Sequence, residues 1–307
     1  MRKRRKTPAS LAGKTIIVTG ASPGSLGFET AVTLVSWGAT VVVTSRSNSE
    51  ITANAIRERL DDADSRRRIH AHSLDISQRG SVVEFVRWFV GTHGETLDVL
   101  VNNAGIHLDL LSRWKEPHLS EDGFEVHWRT NYLGTAHLTH LLRPLLEAAG
   151  RVSGDARVVN VGSHLHHKGS NDDLFGRTRR YSSWRAYGNS KLALIHLTTE
   201  LQRRYSENAH VQAYCLHPGS VFTKVADKGL AGTGWIENVR TALSPLEARL
   251  LKTPAAGART QVYCATQPGL DGGRYYRDCR PARPSKDAED AQVAARLWAE
   301  TATWLAA

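Results

Sequence analysis

KTIIVTGASPGSLGFET, Lys14 to Thr30, decides the fold. A β-branched run ends at Thr19 and delivers the chain into glycines just before a segment of helical period. Backbone N–H groups and a helix N-terminus therefore converge on one point, which suits a pyrophosphate. Glycine serves there because a side chain would block the approach of backbone to phosphate and of helix to strand. Gly20, Gly24 and Gly27 are the three in question, with Ser25 and Leu26 separating the last pair.

Outward from this turn, short β-branched runs alternate with helical segments. The strand candidates are 14–20, 40–45, 68–75, 97–105, 156–163, 211–219 and 272–276. Between them Ala31, Leu34 and Val35 share one helical face, and Val82, Phe85, Val86 and Phe89 another. The alternation predicts an α/β fold: a single Rossmann-type doubly wound sheet of seven parallel strands with helices on both faces. No linker separates a second domain, so 11–307 reads as one domain behind a basic disordered tail, 1–10. The irregular stretch 220–254 follows a strand's carboxyl end, where ligands bind in such sheets, and is expected to be a substrate lid. A last helix is expected near 286–305.

The 307 residues carry a formal net charge of +10, much of it in MRKRRK at the start and in scattered arginines. That pattern describes a solvated basic surface better than a nucleic-acid site, and no specific nucleic acid is expected. Cys215, Cys264 and Cys279 form no CxxC pair, which argues against a disulfide framework or a zinc site and fits a reducing cytoplasm. No apolar run approaches the ~20 residues that span a bilayer, and no signal-peptide pattern follows the basic start. A cytoplasmic protein without a membrane span is the expectation.

Two further features bear on chemistry. The second strand ends in TSR, and Arg46 stands where an NAD-preferring site would carry Asp or Glu for the ribose hydroxyl. A guanidinium there pairs with a 2′-phosphate, so NADP(H) is the expected cofactor. In YGNSK, Tyr187 and Lys191 fall one turn apart on one helical face. A nearby ammonium favours phenolate over phenol, which ordinarily titrates near ~10, and would let Tyr187 exchange a proton near neutral pH.

Taken together, TGxxxG, NNAG (102–105), Asn131 in TNYLG, Ser163 in VVNVGS, Tyr187 with Lys191, and HPG (217–219) resemble the short-chain dehydrogenase/reductase family in order and spacing. The stretches DVLVNNAG, FEVHWRTNYLGTAHLT, GSHLHHKG, NDDLFGRTRRYSSWRAYGNSKLALIHLTTEL, LHPGSVFT, KTPAAGARTQVYCAT and YYRDCRP are similar to its retinol dehydrogenase-like branch, which includes the oxidoreductase domain of WW-domain oxidoreductases. The resemblance implies catalytic roles for Asn131, Ser163, Tyr187 and Lys191. Ser163 would hold the substrate oxygen, Tyr187 would exchange its proton, Lys191 would bind the nicotinamide ribose, and Asn131 would anchor a water in a proton relay. It implies cofactor contacts by Gly20, Ser22, Gly24, Ser25, Leu26, Gly27, Arg46, Asp75, Ile76, Asn103, Ala104, Gly105, Tyr187, Lys191, Pro218, Gly219, Val221 and Thr223, with Asp75 at the adenine and Thr223 at the carboxamide. The family's usual turn, TGxxxGxG, is one residue shorter than this one. Either Pro23 begins a bulge and SLG takes the usual place, or the loop is wider and Ser25 offers an extra hydroxyl.

These features lead us to expect an NADP(H)-dependent oxidoreductase that interconverts an alcohol with a ketone or aldehyde on a small, apolar substrate. The alternatives are a C=C reductase similar to protochlorophyllide reductases and a non-catalytic NADP(H) sensor. His164, His166 and His167 are expected to shape the pocket, and no metal is expected because no acidic third ligand is placed. Leu192, Leu194, Ile195 and Leu197 put apolar residues on more than one side of their helix, from which a homo-oligomer is expected.

Overall fold

The computed structural model describes residues 10–109, 111, 113–175, 180–219 and 252–307. Most of the expected tail and lid, together with Val221 and Thr223, lies outside the described residues. The strands are β1 (Thr15–Val18), β2 (Thr40–Ser45), β3 (Ile69–Ser73), β4 (Val99–Asn102), β5 (Ala156–Val161), β6 (Val211–His217), β7 (Tyr275–Arg277) and β8 (Arg280–Pro281). They form one sheet in the order β3-β2-β1-β4-β5-β6-β7-β8. The seven expected strands are all parallel, and the eighth is an antiparallel addition. Between β7 and β8, Asp278 and Cys279 both adopt left-handed backbone (φ 53° and 58°), which closes a two-residue hairpin.

The central strands β1, β2, β4 and β5 are buried on both faces, and this is why their sequences read as runs rich in β-branched residues. Ile17, Leu100 and Val158 point into one core, with α4 (Arg79–His93), α5 (Thr135–Ser153) and α6 (Ser183–Ala209). Ile16, Val18, Val99, Val101 and Val159 point into the other, with α1 (Leu26–Ser36), α2 (Ser49–Arg57) and α7 (Pro254–Thr266). A short α3 (Ala63–Arg67) precedes β3, and α8 (Ala291–Ala306) closes the chain. Because β1 lies between β2 and β4, the strand order reverses there, and a crevice opens at their carboxyl ends.

The expectation of a second subunit rested on the two apolar sides of α6. Both are covered within the chain: Leu192, Leu194, Ile195 and Leu197 are all buried, and α8 packs against α6 with Leu297 inserted and Trp298 against Tyr205. The sequence argument for an oligomer therefore loses its ground, since α8 supplies the second partner. Among the described residues no helix is long and apolar enough to cross a membrane.

One buried hydrogen bond fastens α8 to the wall of the crevice. Thr301 Oγ1 donates to Leu297 O at 2.8 Å, which leaves it to accept from the buried Tyr132 hydroxyl at 2.6 Å. Thr301→Val is expected to strand that hydroxyl and cost about 1–3 kcal/mol, read as a lower urea midpoint at unchanged slope. An unchanged midpoint would mean the contact contributes nothing to the docking of α8.

Candidate active site

The crevice begins at the glycine turn. Ser25 N donates to Ser22 O at 3.0 Å, closing a β-turn with Pro23 at its second position and Gly24 (φ +80°) at its third, the residues a type II turn demands. Ser25 then caps α1, accepting from Phe28 N at 3.1 Å and donating to Gly20 O at 3.2 Å. The extra residue is thus taken up at Pro23, and the Ser25 hydroxyl is engaged inside the loop. Gly27 sits in the first helical turn, where a Cβ would come within 2.6 Å of Asn103 Nδ2. Ser22 and Gly24 are exposed, and Leu26 is partly so.

Asn103 is committed to architecture. Its Nδ2 donates to Thr19 O and Gly20 O at 2.8 and 3.0 Å, and its Oδ1 accepts from Gln261 Nε2 at 3.0 Å. Gln261 in turn accepts from Thr30 Oγ1 at 3.0 Å. These bonds fix the NNAG loop against the glycine turn, with Thr19 Oγ1 accepting from the amides of Asn103 and Ala104. Gln261 and Thr30 escaped the sequence reading because their partner lies 158 residues from one and on another element from both.

Toward the second strand, Arg46 is exposed and makes no ion pair among the described residues. Asp75 folds into a local turn, accepting from Ser77 N at 2.9 Å and Ser77 Oγ at 2.6 Å, and the next residue, Ile76, is buried. Pro218 and Gly219 follow β6, with Gly219 (φ +92°) beside Lys252, which pairs with Asp278.

On the other side of β4 the catalytic candidates converge. Ser163 follows β5 and caps the short 3₁₀ turn His164–Lys168, accepting from Leu165 N at 3.2 Å. Tyr187 and Lys191 rise from α6, and Lys191 Nζ donates to Val161 O at 2.9 Å. That ammonium lies 5.7 Å from the Tyr187 ring centroid. Two glycines bring the serine loop onto the tyrosine's helix: a Cβ on Gly188 would meet Gly169 N at 2.8 Å and Leu165 O at 2.8 Å. Asn131 lies in a π-helical turn, Trp128–Gly134, accepting from Ile106 N at 2.7 Å and donating to Ile106 O and Ser190 Oγ at 2.9 and 3.0 Å. Gly105 sits between, since a Cβ there would be 3.1 Å from Asn131 Oδ1 and 3.3 Å from Lys191 Nζ.

Electrostatically, burial dominates. It pushes Tyr187 up to about 12, opposed by a hydrogen bond from Ser163, and it lowers Lys191 to about 8. The sequence led us to expect a tyrosine lowered by its lysine. In the chain alone the loss of water prevails, and the ammonium, 5.7 Å from the ring centroid, stands farther off than a salt-bridge partner would.

The histidine cluster is occupied with hydrogen bonds. His166 Nδ1 donates to Ser163 O at 2.6 Å while its Nε2 accepts from Ser285 N at 3.0 Å, tying the serine loop to the segment before α8. His217 Nδ1 accepts from His164 N at 3.2 Å. Among the described residues no group of three or more His, Cys, Asp or Glu could hold a metal. A cavity of about 410 Å³ opens beside Trp128, Tyr181 and Arg185, but Ser163, Tyr187 and Lys191 do not line it, so it does not mark the reacting centre.

Comparison with known proteins agrees with this geometry. The family model described as short chain dehydrogenase matches residues 14–232. Retinol dehydrogenase 13 of Homo sapiens is 34% identical over 300 residues, covering 96% of this chain and 85% of that protein. Polyprenol dehydrogenase of Mus musculus is 39% identical over 296 residues, covering 94% and 82%. Among solved structures, the RhlG/NADP active-site complex of Pseudomonas aeruginosa superposes with a TM-score of 0.64 at 25% identity, covering 88% of this chain and 96% of that one. The chain belongs to the short-chain dehydrogenase/reductase family, in its retinol dehydrogenase-like branch, and is an oxidoreductase of the alcohol–carbonyl kind.

Burial also sets an acid limit. His107, His137, His166, His196 and His217 are each lowered from 6.5 to about 4, chiefly by loss of water. Between these values the unfolded chain binds more protons than the folded one, so stability is full above pH 6.5 and falls as pH drops toward 4. Each histidine contributes a slope of up to about 1.4 kcal/mol per pH unit. Urea unfolding at pH 7.5 and at pH 5 is expected to differ by several kcal/mol, and equal stabilities would contradict this burial.

Proposed function

We propose that the chain interconverts an alcohol with its ketone or aldehyde, using NADP(H), on an apolar substrate. The observation that carries this reading is the joining of Ser163, Tyr187 and Lys191 at the carboxyl ends of β4 and β5, beside a glycine turn fit for a pyrophosphate. The fit to a dinucleotide rests on the turn's geometry. Gly20 and Gly24 have positive φ, Gly27 lets α1 pack where a Cβ would collide with Asn103, and the N-terminus of α1 faces the same crevice. Arg46 is exposed at the end of β2 with no carboxylate beside it in sequence, which favours a 2′-phosphate. Retinol and polyprenol, in the relatives' names, are apolar alcohols, and the RhlG complex carries NADP. The unpaired thiols of Cys215, Cys264 and Cys279 accord with a reducing, cytoplasmic setting.

Bound NADPH would supply the hydride to the carbonyl carbon, and the chain's own groups handle the oxygen. Ser163 donates a hydrogen bond to the carbonyl oxygen and fixes it beside Tyr187. As negative charge grows there, the Tyr187 O–H transfers its proton to that oxygen, giving the alcohol. A phenol held near 12 keeps its proton at neutral pH until the acceptor becomes basic, which suits a proton donor. Lys191, still largely charged at pH 7 with a value of about 8, stabilises the phenolate left behind and is placed to hold a ribose hydroxyl. Asn131 holds Ile106 by both its N–H and its C=O, and so shapes the floor on which Lys191 stands.

Purified protein with NADPH and a panel of apolar aldehydes and ketones is expected to show turnover that Tyr187→Phe lowers by a factor on the order of 10² or more while NADPH still binds. Undiminished turnover in that variant would remove Tyr187 as the proton donor. Arg46→Asp is expected to weaken NADPH binding about tenfold or more, ~1.4 kcal/mol per factor of ten, with NADH gaining in comparison. Equal wild-type affinities for NADPH and NADH, by fluorescence titration, would refute the 2′-phosphate assignment.

A further inference from the structure

The residue two places beyond NNAG is a histidine, and its ring lies on the ring of Tyr187. The centroids of His107 and Tyr187 are 4.0 Å apart with planes inclined by only 14°. Trp184 meets the edge of the same imidazole at 5.0 Å and 86°, and His127 stands at 6.1 Å and 72°. His107 is 7% exposed, and its Nε2 is buried with no hydrogen-bond partner among the described residues. A buried, unpartnered nitrogen lowers stability and calls for an explanation. The imidazole's edge does no bonding at this atom, while its face covers the tyrosine.

The segment that carries this ring is fastened at every neighbouring residue. Ile106 is gripped at its N–H and its C=O by Asn131. Leu108 N donates to His127 Nε2 at 2.9 Å, and His127 Nδ1 donates to Glu125 Oε1 at 2.7 Å, so the tautomer of His127 is fixed. Asp109 O accepts from Ser183 Oγ at 2.9 Å, and its carboxylate accepts from the amides of Arg113 and Trp114 at 2.7 and 2.9 Å. Backbone held at residues 106, 108 and 109 leaves the imidazole little freedom to tilt, and Tyr187 stacks on a fixed surface.

We propose that His107 is a positioning residue that acts through Tyr187, its ring face holding the phenol in the plane from which the hydroxyl meets Ser163 and the substrate oxygen. This rests on Tyr187 being the proton donor. Burial above all, with the Lys191 ammonium adding to it and Asp109 opposing, keeps the imidazole neutral, so the stack adds no charge to the phenol in the neutral range. The ring face is the working part, and the nitrogens are dispensable.

Three substitutions separate face from nitrogen. His107→Phe keeps a planar ring without a hydrogen-bonding nitrogen, His107→Asn keeps polarity without the ring, and His107→Leu supplies a non-planar apolar group should the asparagine variant not fold. With NADPH and the fastest carbonyl of the panel, Phe is expected to stay within about threefold of wild-type kcat, whereas Asn or Leu falls by about tenfold or more at nearly unchanged KM for NADPH. In a Tyr187→Phe background the asparagine change is expected to lower kcat no further, since both changes act on one step. A second readout needs no turnover: the Tyr187 ring resonances, assigned through their loss in Tyr187→Phe, are expected to show slow ring flipping in wild type and His107→Phe and faster flipping in His107→Asn. Fast flipping in wild type, or a phenylalanine variant as impaired as the asparagine one, overturns the proposal. Slow flipping accompanied by no turnover on any carbonyl would leave the stack standing and strike the reading of Tyr187 as donor.

Discussion

Lys191 is 4% exposed, and its ammonium donates to a backbone carbonyl, Val161 O, at the last residue of β5. Much of the site hangs on that bond. It sets α6 against the end of β5, and Ser163 lies two residues beyond the carbonyl while Tyr187 lies one helical turn before the lysine. A buried cation with a neutral partner is costly, and the cost appears as a lysine lowered to about 8. What the expense provides is a dry pocket in which a charge acts at higher strength than in water.

Close packing then converts this one register into a working geometry. Gly169 and Gly188 let the serine loop lie on α6 directly next to Tyr187, so that Ser163 reaches the phenol. His166 pins the carbonyl of Ser163 from the opposite side, to the chain before α8. On the cofactor side, Asn103 binds the turn after β1 to the loop after β4, and Gln261 braces it from α7. The two halves of the crevice are therefore held by buried hydrogen bonds between elements far apart in sequence, and the candidate catalytic residues sit where those halves meet.

The sheet was legible because its central parallel strands, buried on both faces, leave runs rich in β-branched residues, and each of the seven expected segments overlaps a strand. Tyr187 and Lys191 were legible because a helix places residues four apart on one face. Other features carry no local signal. The β7–β8 hairpin turns on Asp278 and Cys279, both in left-handed backbone, and Asp-Cys is not a pair that announces such a turn. The π-helical turn that aims Asn131 at Ile106 depends on what surrounds it, and the Asn103–Gln261 bond joins residues 158 apart, with β5 and β6 between them. The apolar breadth of α6 was read correctly, but its partner is α8 of the same chain. At Tyr187 sequence shows the neighbouring lysine and hides the depth of burial, which raises the phenol in the free chain.

Burial holds the Tyr187 proton tightly in the free chain, and in the proposed mechanism the Lys191 charge makes its release possible during turnover. The most direct measurement is the pH dependence of alcohol oxidation at saturating NADP⁺, for wild type and Lys191→Met, using the alcohol matched to the best carbonyl substrate. The expected wild-type midpoint is below the ordinary phenol value of about 10 and well below the free chain's, with the variant's midpoint displaced upward. If the two profiles share one midpoint while the variant keeps its rate, the lysine exerts no control over the tyrosine and the account is contradicted.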